Sequence, residues 1–228
     1  MVAEIPDWPK LLSLAVHEFR TPTTVISGYL RMLLKERAGP LADMQRKLIE
    51  DAEKSCGRLS ALLADMSELA HLEDGRATLD RGEFDLSEAL DRIARETVVS
   101  EGEAGIQVRG TKGPLLVRAD AERLRKTLAA IAHAIRREII EAGDLVISTS
   151  VRDVNGEHVA WIAFGPASVV EALEHADPST LGPFDESRGG CGLSLPLARL
   201  VIDLHGGRLL ALPGDRQKAG GVVQLPLG

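Results

Sequence analysis

The sequence predicts a two-part chain: an α-helical hairpin that pairs with a second copy into a dimeric four-helix bundle, followed by an α+β sandwich domain. Three observations carry this. Two long stretches repeat apolar side chains at three- and four-residue spacing and are joined by a short Gly-Pro turn. Beyond Gly75 the pattern changes to short β-type runs alternating with capped helices. Only 3% of the residues are aromatic against 44% hydrophobic, so the core is built from Leu, Ala, Val and Ile, which suits packed helices.

Helix one starts at Asp7, with Pro9 in its first turn, and stops at Gly39-Pro40. Its repeating positions are Leu11, Leu14, Glu18, Thr21, Val25, Gly28 and Met32, apolar at both ends and polar in the middle. Helix two spans about Asp43 to His71, with the stripe Leu48, Ala52, Leu59, Leu62, Met66 and Leu69. Neither helix can cover its stripe alone, so a homodimer is expected. The domain boundary falls near residues 75–82, giving a hairpin over 1–78 and a sandwich over 79–228.

In the second part, Asp85 and Ser87-Glu88 open a helix running to about Val98. Ile106–Val108 and Leu115–Val117 are short strands, and Asp120 caps a helix reaching about Ala142. Leu145–Val151 and His158–Phe164 form a hairpin about Asn155-Gly156. A Gly/Pro-rich loop leads to a helix from Leu193 to His205, and Arg208–Leu212 and Val222–Leu225 complete the sheet.

Composition excludes several classes. A net charge of −7 offers no basic surface for a phosphate backbone, so nucleic-acid binding is not expected. No apolar run is long enough to span a membrane, and no signal-peptide pattern precedes the first helix. Cys56 and Cys191 stand far apart without a CxxC partner, and the six histidines show no ligand spacing, so no metal site is implied. A reducing, cytoplasmic location fits. The first helix begins almost at Met1, as in a free-standing core or a piece of a longer protein.

The polar middle of helix one reads His17-Glu18-Phe19-Arg20-Thr21-Pro22. This resembles the H-box of two-component sensor histidine kinases, H-E-x-R/K-T-P, in a dimerisation and histidine-phosphotransfer domain. Ser27–Leu30 and Arg58–Met66 fit the same domain, and the resemblance extends over essentially the whole chain. The chemistry stands on its own terms. A histidine with a pKa near 6.5 is a neutral nucleophile at physiological pH. Glu18 can take the proton of the second ring nitrogen, and Arg20 can offset phosphate charge. Thr21 lies one turn on from His17, and the resemblance gives Glu18 and Thr21 a water-positioning role in dephosphorylating a receiver. Pro22 cannot donate to the Glu18 carbonyl and is expected to bend the helix.

Residues 83–228 resemble the Bergerat-type, HATPase-like catalytic domain of that family, in degenerate form. The N-box positions that resemblance assigns to asparagine are Ala130 and Ala134; the only Asn in the chain is Asn155. Ala163 replaces the adenine-binding Asp of D-x-G-x-G, and Ala167 its last glycine. Alanine offers no oxygen to the Mg²⁺ that accompanies the nucleotide. Gly190-Cys191-Gly192-Leu193 keeps the third, phosphate-cradling box, so Gly190 and Gly192 are vestigial nucleotide-binding candidates or turn glycines. Phe184 and His205-Gly206-Gly207 match flanking family motifs. No cofactor is expected. The expected function is a two-component phosphoryl carrier in a phosphorelay, exchanging phosphate with receiver domains through His17, Glu18, Arg20 and Thr21, beside a pseudokinase half. Autophosphorylation with atypical nucleotide contacts and a non-catalytic receiver-binding scaffold are the alternatives.

Overall fold

The computed structural model describes residues 7–75, 78–97, 105–110, 113–139, 143–187, 192–213 and 219–227. The chain divides into two compact units, Met1–Thr78 and Leu79–Gly228.

The first unit is a hairpin of α1 (Trp8–Leu34) and α2 (Asp43–Glu73). Helix α1 ends earlier than Gly39-Pro40, because Glu36 enters the left-handed region at φ 54° and closes the helix. The residues that α1 buries are Leu12, Val16 and Thr23, and α2 buries Cys56, Leu63, Ala70 and Leu72. These seams run along Leu12, Val16, Thr23, Leu30 and Leu33, and along Ile49, Cys56, Leu63 and Ala70. They lie one or two residues on from the stripes read in the sequence. Those stripes instead remain largely outside: Leu11, Leu14, Val25, Met32, Leu48, Leu59 and Leu62 are all exposed. Each helix thus carries two neighbouring apolar seams, of which the partner helix covers one. Inside the covered seam the Cys56 thiol approaches the Thr23 carbonyl at 3.4 Å.

The second unit is a sandwich. Its elements are β1 (Arg81–Asp85), α3 (Leu86–Glu96), β2 (Ile106–Gly110), β3 (Leu116–Asp120), α4 (Ala121–Glu138), β4 (Leu145–Val154), β5 (Glu157–Gly165), α5 (Ala167–His175), β6 (Gly182–Pro183), α6 (Ser194–Leu204), β7 (Arg208–Ala211) and β8 (Gly221–Pro226). Six strands form one sheet in the order β2-β4-β5-β8-β7-β6, and β1 pairs with β3 in a second. Among the described residues, only β2 and β4 run parallel. The β4–β5 hairpin turns through Asn155 and Gly156 at φ 57° and 86°, the double positive φ that an Asn-Gly turn supplies. Helices α3, α4 and α6 cover one face, burying Leu90, Leu128, Ile131 and Ile202 against Ile147, Ile162 and Phe164.

The sequence pattern gives no strand at β1. Helix α5 falls in the expected Gly/Pro-rich loop, bracketed by Gly165-Pro166 and Asp177-Pro178, yet Val169, Val170 and Leu173 give it one buried face. Strand β6 is two residues long, too short for any pattern. Helices α3 and α4 end at Glu96 and Glu138, where Thr97 and Ile139 turn to extended backbone, short of the expected Val98 and Ala142, which lie outside the described residues.

A buried pair ties α6 to the start of α4. The Asp120 carboxylate caps α4 by accepting from the Arg123 amide at 3.1 Å, and the Asp120 amide donates to His205 Nε2 at 2.9 Å. His205 Nδ1 donates to the Val201 carbonyl at 2.7 Å, which fixes the neutral tautomer. Burial, aided by Arg81 and Arg123, pushes His205 below its ordinary pKa of 6.5. Desolvation opposes ionisation of Asp120, but the Arg123 and Asp80 amides and the Arg123 guanidinium outweigh it and hold the carboxyl low. Both shifts act in one direction. The unfolded chain protonates His205 near pH 6.5 while the folded chain does not, so stability falls as pH drops below that point. In a Trp8→Phe background, fluorescence of buried Trp161 should report a midpoint that is flat above about pH 7 and declines below about pH 6.5. His205→Gln should flatten the first part of that decline.

Candidate functional site

Helix α1 presents the H-box because its flanks are anchored. Val16 and Thr23 are buried on one side, and the Thr23 and Thr24 hydroxyls donate back to the Phe19 and Arg20 carbonyls at 2.7 and 2.8 Å. These bonds hold the turn where Pro22 withholds its amide from the Glu18 carbonyl, and the helix continues unbroken through Pro22. His17, Glu18, Arg20 and Thr21 are all exposed. Among the described residues, none of their side chains makes a hydrogen bond or ion pair. Four residues of helix bring Thr21 to within about 40° of His17 around the axis, whereas adjacent Glu18 lies about 100° away. The structure therefore puts His17 and Thr21 on one face and shows no hydrogen bond joining His17 to Glu18. Phe19, 58% exposed, stands beside the site. Shifting the apolar repeat by one residue would have found it.

The expected nucleotide positions are placed differently. Ala134 is 2% exposed and packs in the cluster between α4 and the sheet, and Ala130 is half-buried one turn earlier. His133 is exposed. Ala163 is fully buried, on the other face of the sheet, against Val169, Val170 and Leu173 of α5 together with Trp161 and Val222. The helix that follows Ala163 thus covers the position where a carboxylate would stand. Ala167 is the exposed first residue of α5. Gly190 and Cys191 lie outside the described residues. Gly192 has φ 60° just before α6, a left-handed conformation that by itself calls for glycine. Phe184 is buried in the helix-side cluster. Among the described residues no group of His, Cys, Asp and Glu could hold a metal ion, and no helix is long and apolar enough to cross a membrane.

Comparison with known proteins adds the family. Residues 10–75 match the His Kinase A (phospho-acceptor) domain. Histidine protein kinase DivJ of Caulobacter vibrioides is 29% identical over 209 residues, covering 85% of this chain and 33% of DivJ. The circadian input-output histidine kinase CikA of Synechococcus elongatus is 25% identical over 88% of this chain and 27% of its own length. Sensor protein CutS of Streptomyces coelicolor is 29% identical over 92% of this chain and 50% of CutS. The chain thus spans half or less of these relatives. Among solved structures, full-length ShkA in complex with AMPPNP superposes with a TM-score of 0.65 at 22% identity, over 96% of this chain and 45% of ShkA. Acinetobacter baumannii histidine kinase AdeS gives 0.55 at 19% identity, over 93% of this chain and 97% of that one. Both share the arrangement of a helical hairpin followed by an α/β domain. Residues 10–75 are thus a phospho-acceptor hairpin of the His Kinase A type, and the chain as a whole is similar in sequence and fold to the core of two-component sensor histidine kinases.

Proposed function

We propose that this chain is an ATP-independent phosphoryl carrier, in which His17 exchanges a phosphoryl group with the phospho-aspartate of a receiver domain. The observation that supports it is the contrast within the molecule. The H-box is complete and open to solvent, while Ala134 and Ala163, at positions that the resemblance assigns to nucleotide recognition, stand in the apolar core. In the reaction, a neutral His17 ring nitrogen attacks the phosphorus of the receiver's acyl phosphate. The P–N bond forms as the P–O bond to the aspartate breaks, and the aspartate leaves as carboxylate. The proton on the second ring nitrogen passes to Glu18 or to water. Arg20 offsets the charge that arrives. Thr21, on the same face as His17, orients water for the competing hydrolysis. The energy is already stored in the acyl phosphate, so no adenine site is required.

A second reading, autophosphorylation with unusual nucleotide contacts, is favoured by one observation: the similar ShkA fold was solved with AMPPNP. Against it, this chain offers no carboxylate or amide at 130, 134 or 163.

Labelled receivers from the source organism test the proposal. His17→Ala should abolish transfer of label, and Thr21→Ala should slow hydrolysis several-fold while leaving transfer largely intact. If no receiver labels His17 or loses phosphate faster than it does alone, a receiver-binding scaffold takes its place. We further propose a homodimer, because the exposed seam of Leu11, Val25, Tyr29 and Met32 needs cover. Light scattering at tens of micromolar should give a dimer, and Val25→Glu with Tyr29→Glu should give a monomer. For the nucleotide, calorimetry with Mg-ATP should show no binding tighter than millimolar. Ala163→Asp should not restore it. A carboxyl set among Val169, Val170 and Leu173 costs about 3 kcal/mol or more, so the melting midpoint should fall by at least about 6 °C.

A further inference from the structure

The face of the six-stranded sheet that carries α5 becomes polar toward the β4–β5 turn. The pairing register sets Ser150, Trp161, Gln224 and Arg208 side by side across β4, β5, β8 and β7. Trp161 belongs to the cluster under α5, which fixes the face. The connection from α5 to β6 crosses above this row. Arg152 of β4 donates to the Ala176 carbonyl at 3.1 Å, and Gly182 pairs with Ala211 of β7. Between row and connection lies a cavity of about 480 Å³, whose polar lining includes Asp153, Asn155, Asp177, Ser179, Arg208 and Gln224. A neighbouring cavity of about 290 Å³ shares Asn155, Arg208 and Gln224.

Several groups here have unused bonding capacity. Gln224 is only 6% exposed, yet its Nε2 has no hydrogen-bond partner, and the indole N–H of Trp161 beside it has none either. A buried donor without an acceptor costs about 1–3 kcal/mol, and such groups mark a missing partner. Rotation of the terminal amide would turn the Gln224 donor to the cavity that its side chain lines. Arg208 is exposed and has no carboxylate partner among the described residues. At the other end, Asp177 Oδ1 accepts from the Ser179 amide and hydroxyl at 2.9 and 2.8 Å, and Asp153 Oδ1 accepts from the Gly156 amide at 2.9 Å. Their Oδ2 atoms have no protein partner among the described residues. The cavity therefore has one carboxylate, Asp177, on the connection beside the Arg152 guanidinium that stacks on Trp161, and a second cation, Arg208, with an amide donor at its β7 end.

We propose that this cavity binds a short zwitterion of dipeptide size, with its carboxylate held by Arg208 and the Gln224 amide and its ammonium at Asp177. Strands β4 and β7 are three spacings apart, about 14 Å. Side chains reaching in from both ends close part of that distance. An extended dipeptide spans about 7 Å, whereas a single α-amino acid cannot touch both ends. The guanidinium-carboxylate contact is charge-assisted and accounts for most of the selectivity.

The experiment is calorimetric titration of the full chain with Ala-Ala, alanine, N-acetyl-Ala-Ala and Ala-Ala amide. Ala-Ala should bind in the millimolar range or tighter and raise the melting midpoint of the second unit. Alanine and both blocked dipeptides should bind about tenfold more weakly or worse, each losing one charged contact. Arg208→Gln should weaken Ala-Ala by a similar factor without shifting the unliganded midpoint, since Arg208 is exposed and unpaired. No heat or midpoint shift with Ala-Ala at tens of millimolar overturns the proposal. Equal binding of the blocked dipeptides, or unchanged binding in Arg208→Gln, does so as well.

Discussion

Two helices packed side by side can cover only one apolar seam on each, and both helices of this hairpin carry two. That surplus governs how the phospho-acceptor site is displayed. The covered seam through Leu12, Val16, Thr23, Cys56 and Leu63 makes the hairpin rigid enough to hold a proline at its middle. The second seam through Leu11, Val25 and Met32 is the surface on which an assembly would form. His17 belongs to neither, and its neighbours hold the turn so that its imidazole stands open. Had His17 replaced Val16 it would be buried, and a one-residue shift of the heptad would close the site.

The second unit obeys a different constraint. Its sheet is covered on both faces, by α3, α4 and α6 on one and by α5 on the other. A position inside such a double layer tolerates a polar side chain only if it is hydrogen-bonded. Ala134 and Ala163 are the residues expected where nothing polar has to be satisfied. The fold and the alanines support each other: α5 can pack Val169, Val170 and Leu173 onto the sheet because position 163 carries only a methyl group. On the helix-bearing side His205 and Asp120 are buried polar residues, and their contacts to the Asp120, Arg123 and Val201 backbone are paired.

Much of this was legible in the residues. The two long helices, the Asn-Gly hairpin, the Asp120 cap and the closing Gly206-Gly207 turn each follow from local chemistry that needs no tertiary information. The H-box was legible because six residues in order are specific. What escaped depended on context. Helix α5 is amphipathic over only nine residues and is bracketed by Gly-Pro and Asp-Pro, so its helicity comes from the sheet it covers. The choice between two seams one or two residues apart is made by the partner helix, and apolar periodicity alone is nearly equal for both. The cavity at Gln224 and Arg208 had no sequence signal, because it is created by strands β8 and β7 lying beside a connection from elsewhere in the chain.

The proposed division between an open carrier histidine and a closed nucleotide position is tested most directly by offering both phosphate sources to the same protein. Intact-mass spectrometry at neutral pH would follow the chain with Mg-ATP in one tube and with a phosphorylated receiver, free of nucleotide, in another. The expected result is a single added phosphoryl group from the receiver only, absent in His17→Ala. Phosphoryl gain from Mg-ATP on His17, with none from any receiver, would contradict it.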